Sequence, residues 1–368
     1  MYRLDQVAAG RPASAAEVLE AHQRAGRRFR AAGAASFVRE QGDGPAVVCV
    51  HGMIGSSFLY RKVLAELAGY GLRGVAFDLA GFGLAERPPG YDYSWTGLGK
   101  FCVAAVGELG LGRFHLVVHD IGGPVGFELA TAVPGRIASL TLLNTTIDVT
   151  EFKSPWSMEP FRHRGAGEMW MRSLNRPAFR FLMRLQGIGD PAAASDAELD
   201  AYLALIKGPD HGRAFLRIMR STERTAAKQA RYRAAVRDVP YPVQAIWGDR
   251  DPAMTLAVYG EKARAAAGLA RVHTVPGKHF PQEDQAPAIA RQIAELVRSA
   301  EAKGGGEAGR GPLGRERRGR GGARSARPRP GRCGQETGGW MIQMFGSQYS
   351  PRSRSRSMCT VARPAGKT

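Results

Sequence analysis

The 368-residue sequence has little cysteine, no long apolar run and no aspartate in residues 301–368. Its four cysteines are Cys49, Cys102, Cys333 and Cys359, and no spacing among them suits a zinc site or a disulfide framework. Cys49 lies inside "AVVCV" and Cys102 inside an apolar helical pattern, so both read as buried free thiols. No segment approaches the ~18–20 consecutive apolar residues of a membrane span. The opening "MYRLDQVAAGRPASAAEVLE" lacks the continuous apolar stretch of an export signal. These absences point to a reducing cytoplasm, to no membrane role, and to no metal or other cofactor. The excess of base is local: residues 301–368 hold 13 Arg and 2 Lys against 4 Glu and no Asp, or +11 of the net +19. The first 300 residues keep +8, a modest excess, so the charge typical of a nucleic-acid binder belongs mainly to the tail.

What is there is an alternation. Hydrophobic residues make up 44% of the chain, enough for a substantial core. Residues 1–24 read as an Ala-rich arm or short helix. The stretch from Arg27 alternates and turns at Gly42-Asp43-Gly44, a strand–turn–strand pattern. "AVVCV", "LRGVAFD", "RFHLVVHD" and "RIASLTLLNT" are short apolar runs of the kind strands covered on both faces show, and helical periods separate them. That order predicts an α/β fold with a mostly parallel central sheet flanked by helices. The core is expected over 25–147 and again over 239–302. Between them 148–238 reads helical, an inserted cap whose "WSMEPF", "MWMRSL" and "FRFLMRL" suit an apolar cavity. From 303 to 368 the Gly/Arg-rich composition cannot offset its ordering entropy and reads as a disordered tail.

Reactive groups of open α/β sheets gather at the carboxyl ends of strands. Three such ends carry Asp120 after "HLVVH", Asp251 after "VQAIWGDR" and His279 after "ARVHTVPGK". Asp249 competes with Asp251, and Asp148 is a third acid in reach. His51 and His119 read as local hydrogen-bonding residues, and Asp78 as the pin of the "AGFG" loop.

With "VHG" (50–52), "DLAGFGLAERP" (78–88), "LVVHDIGG" (116–123), "WGDRDP" (247–252) and "GKHFPQED" (277–284) in this order, the sequence over 27–300 resembles the α/β-hydrolase superfamily. The similarity is to its aspartate-nucleophile branch, which holds haloalkane dehalogenases and epoxide hydrolases. It implies an α/β-hydrolase fold with Asp120 as nucleophile, His279 as base, and Asp251 as the acid orienting it. Asn144 stands where some relatives carry the acid, and its neutrality fits use of the later one. The backbone N–H groups of Met53 and Ile121 are the implied oxyanion donors. A carboxylate is already ionised at neutral pH and, unlike serine, needs no base to attack saturated carbon.

The sequence also departs from that branch. Dehalogenases of this type carry Trp after the nucleophile, where Ile121 stands, and Asn or Glu after "HG", where Met53 stands. Epoxide hydrolases carry a proline where Ile54 stands and a late cap tyrosine where Met219 stands. Val118 in "VVHD" is closer to the dehalogenases. Possible leaving-group contacts are Trp156, His163, Trp170, Tyr202 and Tyr232. The expected activity is that of a haloalkane dehalogenase-like hydrolase on a small apolar organic substrate and water. The alternatives are an epoxide hydrolase, an ester or lactone hydrolase, and a non-catalytic binding protein with an RNA-binding tail. For that last reading "RGRGG" and "SRSRS" supply phosphate contacts, but Trp340, Phe345 and Tyr349 are the tail's few stacking aromatics.

Overall fold

The computed structural model describes residues 13–308. Eight strands form one sheet: β1 Gly26–Ala31, β2 Ala34–Gln41, β3 Ala46–Val50, β4 Arg73–Phe77, β5 Phe114–Asp120, β6 Ile137–Thr145, β7 Val243–Gly248 and β8 His273–Val275. Their spatial order is β1-β2-β4-β3-β5-β6-β7-β8. β1–β2 and β2–β4 pair antiparallel, and every later pair is parallel. The two continuous apolar runs, β5 and β6, are buried at every position and sit in the interior of the sheet. β1 forms one edge, and its Arg27, Arg28 and Arg30 discourage pairing with another chain.

Alternate residues of each strand serve opposite layers. Val47, Cys49, Val117, Leu143 and Ile246 pack with helices α2 (Arg61–Gly69) and α12 (Ala286–Ala308), through side chains such as Val63, Leu67 and Ile293. Val48, Val50, Leu116, Val118 and Leu142 face the other way, toward α3 (Trp95–Glu108) and α4 (Gly122–Ala132). Burial on both faces removes every position of β5 and β6 and most of β3, β4 and β7 from water, which explains why these segments read as largely apolar stretches. Cys49 and Cys102 are buried free thiols.

Two readings are refined. The turn at Gly42–Gly44 leads from β2 to β3, which are not neighbours; the hairpin is β1–β2, closed by Ala32 (φ 46°) and Gly33 (φ 79°). The last helix runs to Ala308, past the compositional break at 303. The remainder of the tail and residues 1–12 of the N-terminal arm lie outside the described residues. Helix α1 (Ala15–Arg24) begins with a capping box in which Ser14 and Glu17 satisfy each other's backbone N–H.

Residues 148–238 contain helices α5 (Ala166–Ser173), α6 (Arg176–Leu182), α7 (Asp196–Lys207), α8 (Arg213–Arg220) and α9 (Ala226–Ala234), and no strand. The short helices α10 (Glu261–Ala267) and α11 (Pro281–Asp284) follow β7 and the loop after β8. A buried ionic cluster joins the segment to the body: Arg61 of α2 bonds Glu283 of α11 and Glu198 of α7, each at 2.5 Å. No described helix is long and apolar enough to cross a membrane.

Candidate active site

Asp120 ends β5 with φ 53°, a conformation an L-residue adopts only at a cost of about 1–3 kcal/mol. The chain must reverse there because α4 begins two residues later. Gly122 makes the reversal possible: a Cβ at that position would lie 2.4 Å from the Val50 carbonyl oxygen and 2.7 Å from that of His51. Gly52 is equally constrained, since its Cβ would sit 2.2 Å from the Asp120 Cβ. The Asp120 backbone is fixed from behind by the Thr145 hydroxyl, which donates to its carbonyl at 2.6 Å. The neighbouring loop is also strained, with Ile54 at φ 65°.

The side chain of Asp120 is held at both oxygens. Met53 N–H donates to Oδ1 at 2.8 Å, and His279 Nε2 lies 3.3 Å from Oδ2. On the far side of the imidazole, Nδ1 is 2.8 Å from Asp251 Oδ2. Asp251 is itself anchored, Oδ1 accepting from the N–H groups of Ala253 and Met254 and Oδ2 from the Asn144 amide at 2.7 Å. Asn144 also accepts from Gly248 N–H, so it ties the ends of β6 and β7 together. Asp249 is turned to the Gly277 N–H and Asp148 to Arg233, so neither reaches His279.

These contacts set the charges. Burial alone would depress the His279 imidazolium, but the Asp251 carboxylate and the hydrogen bonds to Asp120 and Asp251 outweigh it and raise its pKa well above the ordinary value. Burial alone would raise both carboxyls, yet the facing imidazole holds Asp120 and Asp251 below the usual range. His119 donates to the His279 carbonyl at 2.8 Å; burial and the neighbouring His279 lower its pKa to about 4, so the donor is a neutral ring. His51 bridges the Gly52 carbonyl and the Leu79 N–H. Asp78 accepts from the N–H groups of Ser57 and Leu84 and so pins the loop after β4.

Asp120 and His279 open into a cavity with about 100 Å³ accessible to the centres of water molecules. Met53, Ile54 and Ile121 line its floor, and the cap contributes Met158, Phe161, Leu174 and Met183 to its walls. The cap is tied to the histidine loop: the carbonyls of Gln186 and Gly187 accept from the backbone N–H groups of His279 and Phe280.

Of the five side chains read as leaving-group contacts, the structure brings one to the cavity. Trp170 lines it, but its indole N–H is spent on the Ser157 carbonyl at 3.2 Å. Trp156 is 61% exposed, and His163 is exposed beside Glu159. Tyr202 is buried and donates to Glu283, inside the ionic cluster. Tyr232 is buried against Trp95 and Phe127 and does not line the cavity. Beside Ser154, Ser157, Gln186, Thr222 and Arg224, two further polar groups that sequence reasoning passed over line it. They are Trp95, at the first turn of α3, and Thr146, just beyond β6; the Trp95 indole nitrogen and the Thr146 hydroxyl are buried without a hydrogen-bond partner among the described residues. Only the position of Thr146 one residue past a sheet strand hinted at the site. Among the described residues no group of three or more His, Cys, Asp or Glu side chains could hold a metal ion.

Comparison with known proteins agrees with this architecture. A family model described as the alpha/beta hydrolase fold matches residues 45–286. A haloalkane dehalogenase of Mesorhizobium japonicum is 28% identical over 278 residues, covering 71% of this chain and 87% of that protein. Haloalkane dehalogenase 2 of Mycobacterium tuberculosis is 29% identical over 268 residues, covering 70% and 89%. The crystal structure of wild-type DBJA matches with a TM-score of 0.63 at 25% identity, covering 75% of this chain and 99% of that one. The epoxide hydrolase CorEH, at 18% identity and a TM-score of 0.59 over 74% and 98%, shares the fold. The chain therefore belongs to the α/β-hydrolase fold family, in its haloalkane dehalogenase-like branch, and is a hydrolase.

Proposed function

We propose that this hydrolase displaces a halide from saturated carbon with Asp120 as the nucleophile, and that His279 and water then release the alcohol. The observation that carries the reading is the division of labour at the Asp120 carboxylate. Oδ1 is already held by the Met53 N–H, while Oδ2 faces His279 at the floor of an apolar cavity. In the first step Oδ2 forms a bond to carbon, and the halide departs with the bonding pair. The resulting ester carries no charge, so His279 loses one of its two carboxylate partners and with it part of the stabilisation of its proton, which it gives up to solvent. Neutral His279 takes a proton from water as the oxygen adds to the Asp120 ester carbonyl. The oxyanion develops at Oδ1, where Met53 N–H already points and the Ile121 N–H is the second donor. Collapse breaks the acyl–oxygen bond, the alkoxide takes the proton from His279, and the Asp120 carboxylic acid so formed passes its own proton to the imidazole, which restores the carboxylate–imidazolium pair.

The departing halide needs donors, and Ile121 supplies none from its side chain. Among the residues lining the cavity, the indole N–H of Trp95, the hydroxyl of Thr146 and the Nε–H of Arg224 are buried without a partner, and the first two are the uncharged donors. Opening an epoxide draws on tyrosines above the nucleophile; Tyr202 is engaged with Glu283, and no tyrosine lines the cavity. The halide reading therefore fits better than the epoxide one.

A His279→Ala variant separates the two steps. Treated with 1-bromoalkanes, it is expected to gain the mass of one alkyl group, mapped to Asp120, and to retain it for hours. An Asp120→Asn variant should gain nothing. An adduct formed from epoxides or esters but not from bromoalkanes would transfer the chemistry to that leaving group. Full turnover by Asp120→Ala would overturn the nucleophile assignment altogether.

A further inference from the structure

We propose that the molecule turned over is itself an anion, a halogenated carboxylate whose carboxylate group is held by the guanidinium of Arg224. The inference rests on the displacement reading above and adds the substrate class.

Arg224 lines the same cavity as Asp120 and His279, between the end of α8 and the start of α9. Its guanidinium has no carboxylate within salt-bridge distance among the described residues. One terminal nitrogen donates to the Phe152 carbonyl at 3.0 Å and the other to the Ser154 hydroxyl at 3.1 Å, both neutral acceptors. The plane lies over the Phe152 ring, 4.7 Å from its centroid, and Nε is buried without a partner. The acid whose charge acts on it, Glu159, bonds Arg162 and His163 at 3.5 Å and 3.3 Å and reaches Arg224 only through the Ser154 hydroxyl. Burial and the charge of Arg162 both disfavour the Arg224 cation. Arg61, Arg87 and Arg180 are paired with acids, with Glu283 and Glu198, Asp210 and Asp200 respectively, while Arg136, which bonds only backbone carbonyls, lies outside the cavity. A guanidinium without a direct carboxylate partner in an apolar cavity has a strong, directional demand for one.

The surroundings favour an anion as the source. Residues 148–238 hold 16 Lys and Arg against 11 Asp and Glu, so most of the excess positive charge of the first 300 residues sits in the cap. Such a field draws anions toward the cavity. The catalytic groups themselves do the opposite. Two carboxylates flank one imidazole, leaving a net negative charge that repels an incoming carboxylate unless a cation stands beside it. Arg224 supplies that cation, in the fork geometry a carboxylate matches. Overall the halocarboxylate and water give a hydroxycarboxylate, a halide ion and a proton, with bonds made and broken as in the two steps above.

The test compares ω-bromoalkanoates from two to six carbons with 1-bromoalkanes of equal length, using the full chain. For at least one length the carboxylate should exceed its neutral counterpart in kcat/KM by about 100-fold. Arg224→Gln should collapse that ratio mainly through KM, and Arg224→Lys should recover part of it. An equal loss toward both series in Arg224→Gln, or a preference of the parent chain for bromoalkanes, overturns the proposal; the former would mean that Arg224 only braces the Phe152–Ser154 segment. Titration calorimetry with unreactive hexanoate and with hexan-1-ol gives a readout independent of turnover. If no bromo compound reacts but hexanoate binds in an Arg224-dependent way, displacement chemistry fails while the anion site stands. If bromoalkanes react and hexanoate does not bind, the anion site fails alone.

Discussion

An imidazole with a carboxylate at each ring nitrogen keeps its proton, and a general base has to give that proton up. The arrangement at His279 resolves the conflict if one carboxylate disappears during the reaction, as esterification of Asp120 would achieve. Asp251 then becomes the residue that decides whether the second step runs. Asp251→Asn removes the chief influence holding the His279 pKa up against burial, and an amide can present the wrong atom to Nδ1. Hydrolysis of the ester is expected to slow by about 10²–10⁴-fold while attack continues. Intact mass during turnover should show the alkylated chain accumulating; an unchanged rate with no accumulation would place the acid elsewhere. Asn144 acts one bond further out, through its amide to Asp251 Oδ2. A hydrogen bond to a charged acceptor contributes about 1.5–3 kcal/mol. Asn144→Ala should therefore lower kcat by roughly tenfold or more with KM nearly steady, since nothing it touches contacts substrate.

The strand-to-helix turn from β5 into α4 makes the opposite point, that an element can depend on what is missing from a side chain. Gly122→Ala would press a methyl group against the carbonyls of Val50 and His51, backbone atoms of the adjacent β3 and the loop that follows it, which cannot move without disturbing the sheet. The expected loss is on the order of 3 kcal/mol or more by denaturant unfolding. Gly107 is the control: it lies in α3 with nothing within 4 Å of where a methyl group would sit, so Gly107→Ala should leave stability unchanged or raise it by up to about 1 kcal/mol. This pair also shows what was legible. The order of strands and helices could be read because strands buried on both faces leave unbroken apolar runs, and "HDIGG" announces a turn that only glycines fit. The β1–β2 hairpin could not, because its turn is Ala32-Gly33 and the alanine adopts a positive φ that its side chain does not advertise. Asp120, Asp251 and His279 stand at strand ends, where sequence order alone suggests a meeting. The cavity's polar contacts were harder to read. Whether an indole or phenol is free depends on partners set by tertiary packing: Trp170 and Tyr202 are occupied, whereas Trp95, outside the cap, is not.

Over the whole molecule, the buried titratable groups make stability depend on pH in a definite sense. His22 and His119 are buried, with pKa values lowered mainly by burial from 6.5 to about 3 and about 4. A depressed group contributes stability that is complete above its unfolded pKa and lost as pH falls toward its folded one. Both therefore erode stability from about pH 6.5 downward, before the carboxylates respond. Asp120, Asp251 and Glu283 are also depressed, Glu283 to about 2 by Arg61 and Lys62 against the opposing effect of burial. Their contributions are lost only below the ordinary carboxylate range near ~4. His279 has the opposite sign: its raised pKa contributes fully below 6.5 and is lost as pH climbs through the folded value, so it cannot offset the acid loss. Each buried neutral histidine adds a slope of up to about 1.4 kcal/mol per pH unit between its two pKa values. Unfolding free energy measured by denaturant at pH 7, 5.5 and 4 should therefore fall well before pH 4. His119→Gln, whose amide can still donate toward the His279 carbonyl, should make that fall shallower by about one proton's worth. An unchanged slope would mean that His119 is already charged in the folded chain, and a charged ring 5.0 Å from His279 would then disfavour the imidazolium on which the second step depends.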